Sequence, residues 1–260
     1  MWKQRERSQL MTNYSEIKVS RDGERCTISF NRTEALNAIT PTMLEELNAA
    51  ATEASEDDSI RFVVLTGEGR SFSAGVDLKA LGERELVNGK VGDILDLPAR
   101  RLTSTLSSMP KVTIARVNGF CFTGALELAI SCDLLVVASN AKLGDTHAKF
   151  GLRPTWGLSQ RLPELVGLAK ARELSFTARM FSGDEAAQWG LATEAVALED
   201  LDSRIDDLIG EMSANSSDSF VAYKDLYAAS SRLGLEAGLE FEGRTDYRFS
   251  DTEERLEGFR

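Results

Sequence analysis

The sequence has few of the residues that mark secreted, metal-binding or nucleic-acid-binding proteins. Its cysteines, Cys26, Cys121 and Cys132, are odd in number and lie in or beside apolar runs. They favour buried thiols over a disulfide framework, and no metal-ligand spacing surrounds them, so no metal is expected. Lysine and arginine total 30 against 41 acidic residues, for a formal net charge of −11. That balance argues against nucleic acid or an anionic membrane as a partner.

Long apolar runs are also missing. No stretch approaches the ~18 apolar residues of a membrane span. The first ten residues, MWKQRERSQL, are charged and contain no apolar segment of the kind that a secretory signal needs. These features predict a cytoplasmic protein. Residues 1–12 are predicted to be a disordered extension, and Met11 is an alternative start.

What is present is enough for a sizeable core, since 42% of the 260 residues are hydrophobic. Residues 14–19 and 25–30 predict a β-hairpin, and Thr40-Pro41 predicts the capped start of a helix. Residues 60–66, IRFVVLT, are typical of a strand that is covered on both faces. Strands alternate with helices early and helices follow alone, which predicts an α/β core over 13–198 and a helical region over 199–260.

Two glycine-containing turns carry the first chemical signal. Residues 67–75, GEGRSFSAG, precede Val76 and a predicted helical start at Asp77. Residues 111–117 predict a strand, and Gly124 opens an apolar helical pattern in which Glu127 is the one acid. If neighbouring strands carry the two turns, the N–H groups of Val76 and Gly124 can converge on one oxygen and form an oxyanion hole.

Five short motifs in this order resemble those of the crotonase, or enoyl-CoA hydratase/isomerase, superfamily. They span most of the chain, from about Ile17 to Val196, and are Asn31–Ala38, Phe72–Leu78, Val117–Asp133, Gly157–Leu162 and Ala186–Leu191. The resemblance implies a spiral of ββα units followed by C-terminal helices that trimerise, giving a homotrimer or a homohexamer.

The resemblance also implies an acyl-CoA thioester as substrate, with no separate cofactor. Its carbonyl would lie between the N–H groups of Val76 and Gly124, and an enolate would form there. The residues that would contact the CoA or acyl parts of the substrate are Arg32, Ala35, Ala74, Asp77, Leu78, Lys79 and Trp156. For Asp77, the role of a plain helix N-cap is the stronger interpretation. For Trp156, core packing is as open as contact with the substrate. For Arg32 and Lys79, a position on a solvated surface is equally open.

One departure from the family pattern decides how the chemistry is assigned. Hydratases of the family carry two glutamates; the first is matched by Glu127, and the position of the second is occupied by His147, the chain's one histidine. The usual glycine triplet is reduced to Thr123-Gly124-Ala125. Glu127 could activate water and His147 could protonate the α-carbon, because an imidazole titrates near neutral pH. Alternatively His147 only hydrogen-bonds its loop, and Asp145 is a weaker candidate participant.

Three functions therefore remain open. The first is the hydration of a 2-enoyl-CoA by Glu127 and His147. The second keeps the oxyanion hole but changes the reaction to isomerisation, hydrolysis or decarboxylation of an acyl-CoA. The third is a non-catalytic acyl-CoA-binding protein, against which the presence of Glu127 and of both donor positions argues.

Overall fold

The computed structural model describes residues 14–79, 82 and 87–258. The predicted disordered extension over 1–12, and with it the alternative start at Met11, lies outside these residues. The strands, in chain order, are β1 (Ile17–Asp22), β2 (Arg25–Phe30), β3 (Phe62–Gly67), β4 (Ser71–Ser73), β5 (Val112–Val117), β6 (Phe120–Phe122), β7 (Leu134–Ala138), β8 (Lys142–Gly144), β9 (Phe181–Ser182) and β10 (Glu194–Val196).

The helices divide between the two predicted regions of the chain. In chain order they are α1 (Pro41–Glu56), α2 (Asp93–Ser108), α3 (Gly124–Ala129), α4 (Leu158–Val166), α5 (Leu168–Thr177), α6 (Gly183–Gln188), α7 (Leu201–Ser213), α8 (Ser217–Ser230), α9 (Leu235–Arg244) and α10 (Thr252–Glu257). Within the described residues, no helix has the length and apolar character needed to cross a membrane.

Two sheets organise the core. The larger has six strands in the order β1-β2-β3-β5-β7-β10, and the smaller has four in the order β4-β6-β8-β9. β1 and β2 form the predicted antiparallel hairpin, with Ile17 opposite Phe30. From β2 to β10 the larger sheet is parallel. Every residue of β3 is buried, as a parallel strand with both faces covered requires.

The predicted helix starts rest on the expected hydrogen bonds. The Thr40 hydroxyl accepts from the amide of Met43 at 3.0 Å, and Pro41 occupies the first position of α1. Before α6, Ser182 and Glu185 form a capping box, in which each side chain accepts from the other residue's amide. The predicted start of α1 at Thr40-Pro41 is confirmed.

Other predictions of local structure were wrong. β4 and β6, which sequence assigned to a loop and a turn, are three-residue strands, too short to show a periodic pattern. Residues 77–79 form a turn and not the start of a helix. α4 and α5 are separate helices, because Gly167 between them adopts a left-handed φ of +76°. Among the described residues, the predicted helical region over 199–260 holds four helices, α7 to α10.

The smaller sheet positions the residues predicted to form the site. β4 pairs with β6 and β6 with β8, both in parallel, so the carboxyl ends of the three strands lie side by side. β4 leads to Val76, β6 to Gly124, and β8 to His147. Three positions that are distant in sequence therefore meet at one edge of the sheet, where ligands of parallel sheets commonly bind.

Candidate active site

Glu127 lies inside the protein, on the first full turn of α3, with 1% of its surface exposed. Its Oε1 accepts two hydrogen bonds, from the amides of Trp156 and Leu158, each at 3.0 Å. Burial raises the pKa of this carboxyl above its usual range, although the two amides and the nearby His147 oppose the rise. The carboxyl group of Glu127 is thus buried and held in place through Oε1, and its Oε2 remains available to contact a ligand.

His147 lies opposite that second oxygen, at the start of a short 3₁₀ helix over His147–Phe150. Its Nδ1 is 2.7 Å from Oδ1 of Asp145, and its Nε2 is 3.9 Å from Oε2 of Glu127. A carboxylate accepts, so Nδ1 carries the proton and donates to Asp145, and Nε2 faces Glu127. The Asp145 carboxylate therefore sets both the tautomer and the orientation of the ring.

Asp145 is itself held as an anion. Burial alone would raise its pKa, but hydrogen bonds with His147 and Ser175 and the proximity of the imidazole hold the pKa of Asp145 below its usual range. From sequence Asp145 was a weak candidate, because nothing in Gly144-Asp145-Thr146-His147 shows that the chain turns back. The structure makes it the direct partner of His147.

The two facing groups can both contact one small polar molecule that lies beside them. A separation of 3.9 Å is too long for a hydrogen bond between Nε2 and Oε2. Both His147 and Asp145 also line a cavity of about 400 Å³ whose other walls include Leu158 and residues of α5. A ligand in that cavity can reach the imidazole, although only 11% of the side chain is exposed.

The two predicted donor turns touch each other. A Cβ atom on Gly75, whose φ is +91°, would collide with Oγ1 of Thr123 and with the carbonyl of Phe122. Val76 follows Gly75, and Gly124 follows Thr123, so their amides lie at neighbouring turns. Within the part of the chain that the structure describes, neither amide donates to an acceptor.

Gly124 is also required by its surroundings, since a Cβ atom there would collide with the indole ring of Trp156. Trp156 is buried, and its Nε1 donates to Asp96 at 2.8 Å. Its ring therefore packs beside Gly124 while its amide holds Glu127. The packing that was one predicted role of Trp156 is observed, and its contact with the substrate stays a prediction.

The remaining residues predicted to contact substrate lie along the turn after β4 and the segment before α1. Arg32 donates to Asp77 at 3.0 Å and to the carbonyl of Ala38, and also pairs with Glu16. Its guanidinium is thus engaged within the protein. Asp77 accepts from Arg32 and from the amide of Lys79, so it ties the turn together and caps no helix.

The other members of this group differ in exposure. Leu78 and Lys79 are exposed at the surface, where an extended ligand could reach them. Ala35 and Ala74 are half-buried, and the amide of Ala74 donates to the carbonyl of Leu36 at 3.0 Å. The structure therefore brings Ala74 and Leu78 next to the donor turn, and Ala35 to the segment that this turn contacts.

Comparisons with known proteins agree with this geometry. The model of the enoyl-CoA hydratase/isomerase family matches residues 22–260. A probable enoyl-CoA hydratase of Mycobacterium tuberculosis is 32% identical over 245 residues, 94% of this chain and 93% of its own length. A crystal structure of an enoyl-CoA hydratase from Bacillus anthracis superposes with a TM-score of 0.87 at 29% identity, over 94% of this chain and 96% of that one.

A further crystal structure, named for an enoyl-CoA hydratase of Thermobifida fusca, contains acetoacetyl-CoA. It superposes with a TM-score of 0.79 at 29% identity and covers 94% of this chain and 95% of that chain. The similarity therefore extends over the core and the C-terminal helices together, and includes a protein that holds an acyl-CoA.

Proposed function

The chain belongs to the enoyl-CoA hydratase/isomerase family, and from that premise we propose that Glu127 and His147 together hydrate a 2-enoyl-CoA to a 3-hydroxyacyl-CoA. The observation that supports this most is the pair itself. A buried carboxylate and an oriented imidazole face each other 3.9 Å apart, at the edge where two unpaired amides lie at touching turns.

In the first step, a water molecule contacts both Oε2 of Glu127 and Nε2 of His147. Glu127 takes a proton from this water as its oxygen bonds to C3 of the enoyl group. The π electrons of the C2–C3 bond move toward the thioester carbonyl, which becomes an enolate oxygen. A carboxylate with a raised pKa is a stronger base than an ordinary glutamate, which suits this role.

The amides of Val76 and Gly124 stabilise the negative charge on that oxygen. Donors that are already in place need no reorganisation when charge develops, and each is worth about 2.7–4 kcal/mol of barrier. The enolate then collapses, and C2 takes the Nε2 proton of the doubly protonated His147 ring. Glu127 passes the proton that it took from water to Nε2, which restores both groups. Because Asp145 accepts from Nδ1, its negative charge stabilises the doubly protonated ring that this step requires.

The CoA portion of the substrate would lie along the turn after β4. Leu78 and Lys79 are exposed there, and Ala74 lies beside the Val76 donor. Arg32 supports the turn through Asp77, so its proposed part in binding is indirect. The reaction needs no separate cofactor, because the thioester itself provides the electron sink.

We also propose that the C-terminal helices assemble the chain into a homotrimer or a dimer of such trimers. Several large apolar side chains on them are exposed in the single chain, and they are Tyr223, Tyr227, Leu235, Leu239 and Leu256. A cytoplasmic location is the accompanying proposal, supported by three cysteines that form no disulfide.

The test is the hydration of crotonyl-CoA, followed by the loss of the absorbance of the conjugated enoyl thioester. We expect turnover by the wild-type protein and a 10²–10⁴-fold fall in kcat for Glu127→Gln and for His147→Ala, the usual contribution of a general base or acid. The matched control is Lys149→Ala, which removes an exposed side chain from the same 3₁₀ helix. Turnover that survives Glu127→Gln would contradict the assignment, and unchanged turnover in His147→Ala would remove His147 from the mechanism.

Isomerisation of a 3-enoyl-CoA is the second candidate, and the replacement of the second glutamate by His147 is what favours it. A proton can be moved between two carbons by one base, without addition of water. Product analysis separates the two reactions, because hydration in H₂¹⁸O adds labelled oxygen at C3 and isomerisation adds none.

A further inference from the structure

A buried carboxylate on α2 is connected to the site without being part of it. Asp96 lies on the first turn of α2 and is 2% exposed. Its Oδ1 accepts from Nε1 of Trp156 at 2.8 Å and from the hydroxyl of Thr155 at 2.6 Å. One oxygen atom therefore fixes two consecutive side chains of the loop that precedes α4.

The same loop carries the groups that hold the proposed base. The amides of Trp156 and Leu158 donate to Oε1 of Glu127, and the ring of Trp156 lies against Gly124. A shift of the loop would therefore disturb both the proposed base and one proposed donor at once. Asp96 anchors this loop to α2 through the two side chains, and Nε of Arg100, on the same helix, adds a hydrogen bond to the Thr155 carbonyl at 2.8 Å.

The other oxygen of Asp96 makes no hydrogen bond to a described residue that would stabilise the fold. Among the described residues, Oδ2 has no hydrogen-bond partner, although it is fully buried. A buried acceptor without a donor is unfavourable, and an apolar side chain would avoid that loss. The two bonds from Trp156 and Thr155 are thus what an acid at this position provides.

We propose that Asp96 is a positioning residue that holds Glu127 in place through the loop over Thr155–Leu158. This inference rests on the proposed role of Glu127 as the base. Hydrogen bonds from backbone amides favour the ionised form of a carboxyl, so a loosened loop raises the pKa of Glu127. The charged and titratable groups that face Glu127 are His147, Asp145 and Arg161, and none of them changes in the test.

Three variants separate positioning from charge. Asp96→Ala removes both hydrogen bonds and the negative charge. Asp96→Asn removes the charge but keeps an oxygen that can accept both bonds. Trp156→Phe removes one donor and leaves Asp96 in place. Asp93→Ala is the control, because Asp93 is an exposed acid on the same first turn of α2.

For Asp96→Ala we expect at least a tenfold lower kcat, a KM within threefold of wild type, and an acid limb of the pH–kcat profile displaced to higher pH. Asp96→Asn and Asp93→Ala should stay within threefold of wild type. The double variant of Asp96→Ala with Trp156→Phe should be no slower than Asp96→Ala alone, since both remove the same bond. If Asp96→Ala does not fold, Trp156→Phe tests the proposal instead, and we expect its acid limb to be displaced to higher pH as well.

An acid limb that stays in place, or one displaced to lower pH, would overturn the inference, because loss of the Asp96 charge alone favours ionisation of Glu127. Absence of hydration by wild type is a different outcome and concerns the proposed function. In that case the infrared band of the protonated Glu127 carboxyl, identified by its absence in Glu127→Gln, is titrated instead. Its midpoint should lie at higher pH in Asp96→Ala, and an unchanged midpoint would reject the positioning role independently of activity.

Discussion

Replacement of Glu127 by glutamine should lower kcat by about 10²–10⁴-fold and, at neutral pH, make the protein more stable. Glutamine has nearly the same shape, and its Oε1 can accept from the amides of Trp156 and Leu158 as the carboxylate does. What the change removes is a negative charge that is 1% exposed. Burial raises the pKa of Glu127, which means that folding disfavours the ionised form.

The sign and size of the gain depend on pH. A glutamate in the unfolded chain titrates near 4.3, and at lower pH both states are protonated, so wild type and Glu127→Gln should have similar stability. As pH rises through the higher pKa of the folded state, wild type loses stability and the variant does not. Each unit of difference corresponds to about 1.4 kcal/mol. We expect the gain to level off above the pKa of the folded state, and each kcal/mol of gain raises Tm by about 2–4 °C.

The assay is thermal unfolding of both proteins between pH 5 and pH 8, with crotonyl-CoA turnover measured on the same samples. Glu199→Gln is the control, because Glu199 is exposed and its replacement should leave Tm unchanged across that range. A stability difference that shrinks as pH rises would refute the reasoning, since it would mean that the charged form of Glu127 stabilises the fold.

Three further predictions concern neighbouring residues. Thr123→Gly should raise the free energy of unfolding by about 1 kcal/mol in denaturant titration, because a β-branched residue at φ 48° is strained and glycine is not. Thr123→Ala keeps a Cβ atom and should not raise the free energy of unfolding. Asp145→Asn should lower stability at pH 7. That loss should shrink as pH falls from about 4, where the unfolded aspartate takes up a proton, through the lower pKa of the folded state. Cys121, which is fully buried and whose pKa is raised by burial, should react with a thiol reagent at neutral pH only after the protein is unfolded.

The local elements were largely predictable because short-range physics determines them. The hairpin of β1 and β2, the capped start of α1 at Thr40, and the capping box at Ser182 follow from turn residues, proline and side chains that satisfy free amides. The strands β4 and β6 could not be predicted in this way. They are three residues long, and what makes them strands is pairing with each other and with β8.

The family, the acid on α3 and the replacement of a second glutamate by His147 can be read from the sequence, because they are properties of residue type and order. Which groups meet depends on the tertiary structure. Parallel pairing of β4, β6 and β8 brings Val76, Gly124 and His147 to one edge of a sheet. Chain reversal after β8 places Asp145 on the imidazole, and α2 reaches the loop that holds Glu127 through Asp96. Such contacts join residues up to 60 positions apart, and no local pattern encodes them because they arise only when the layers pack.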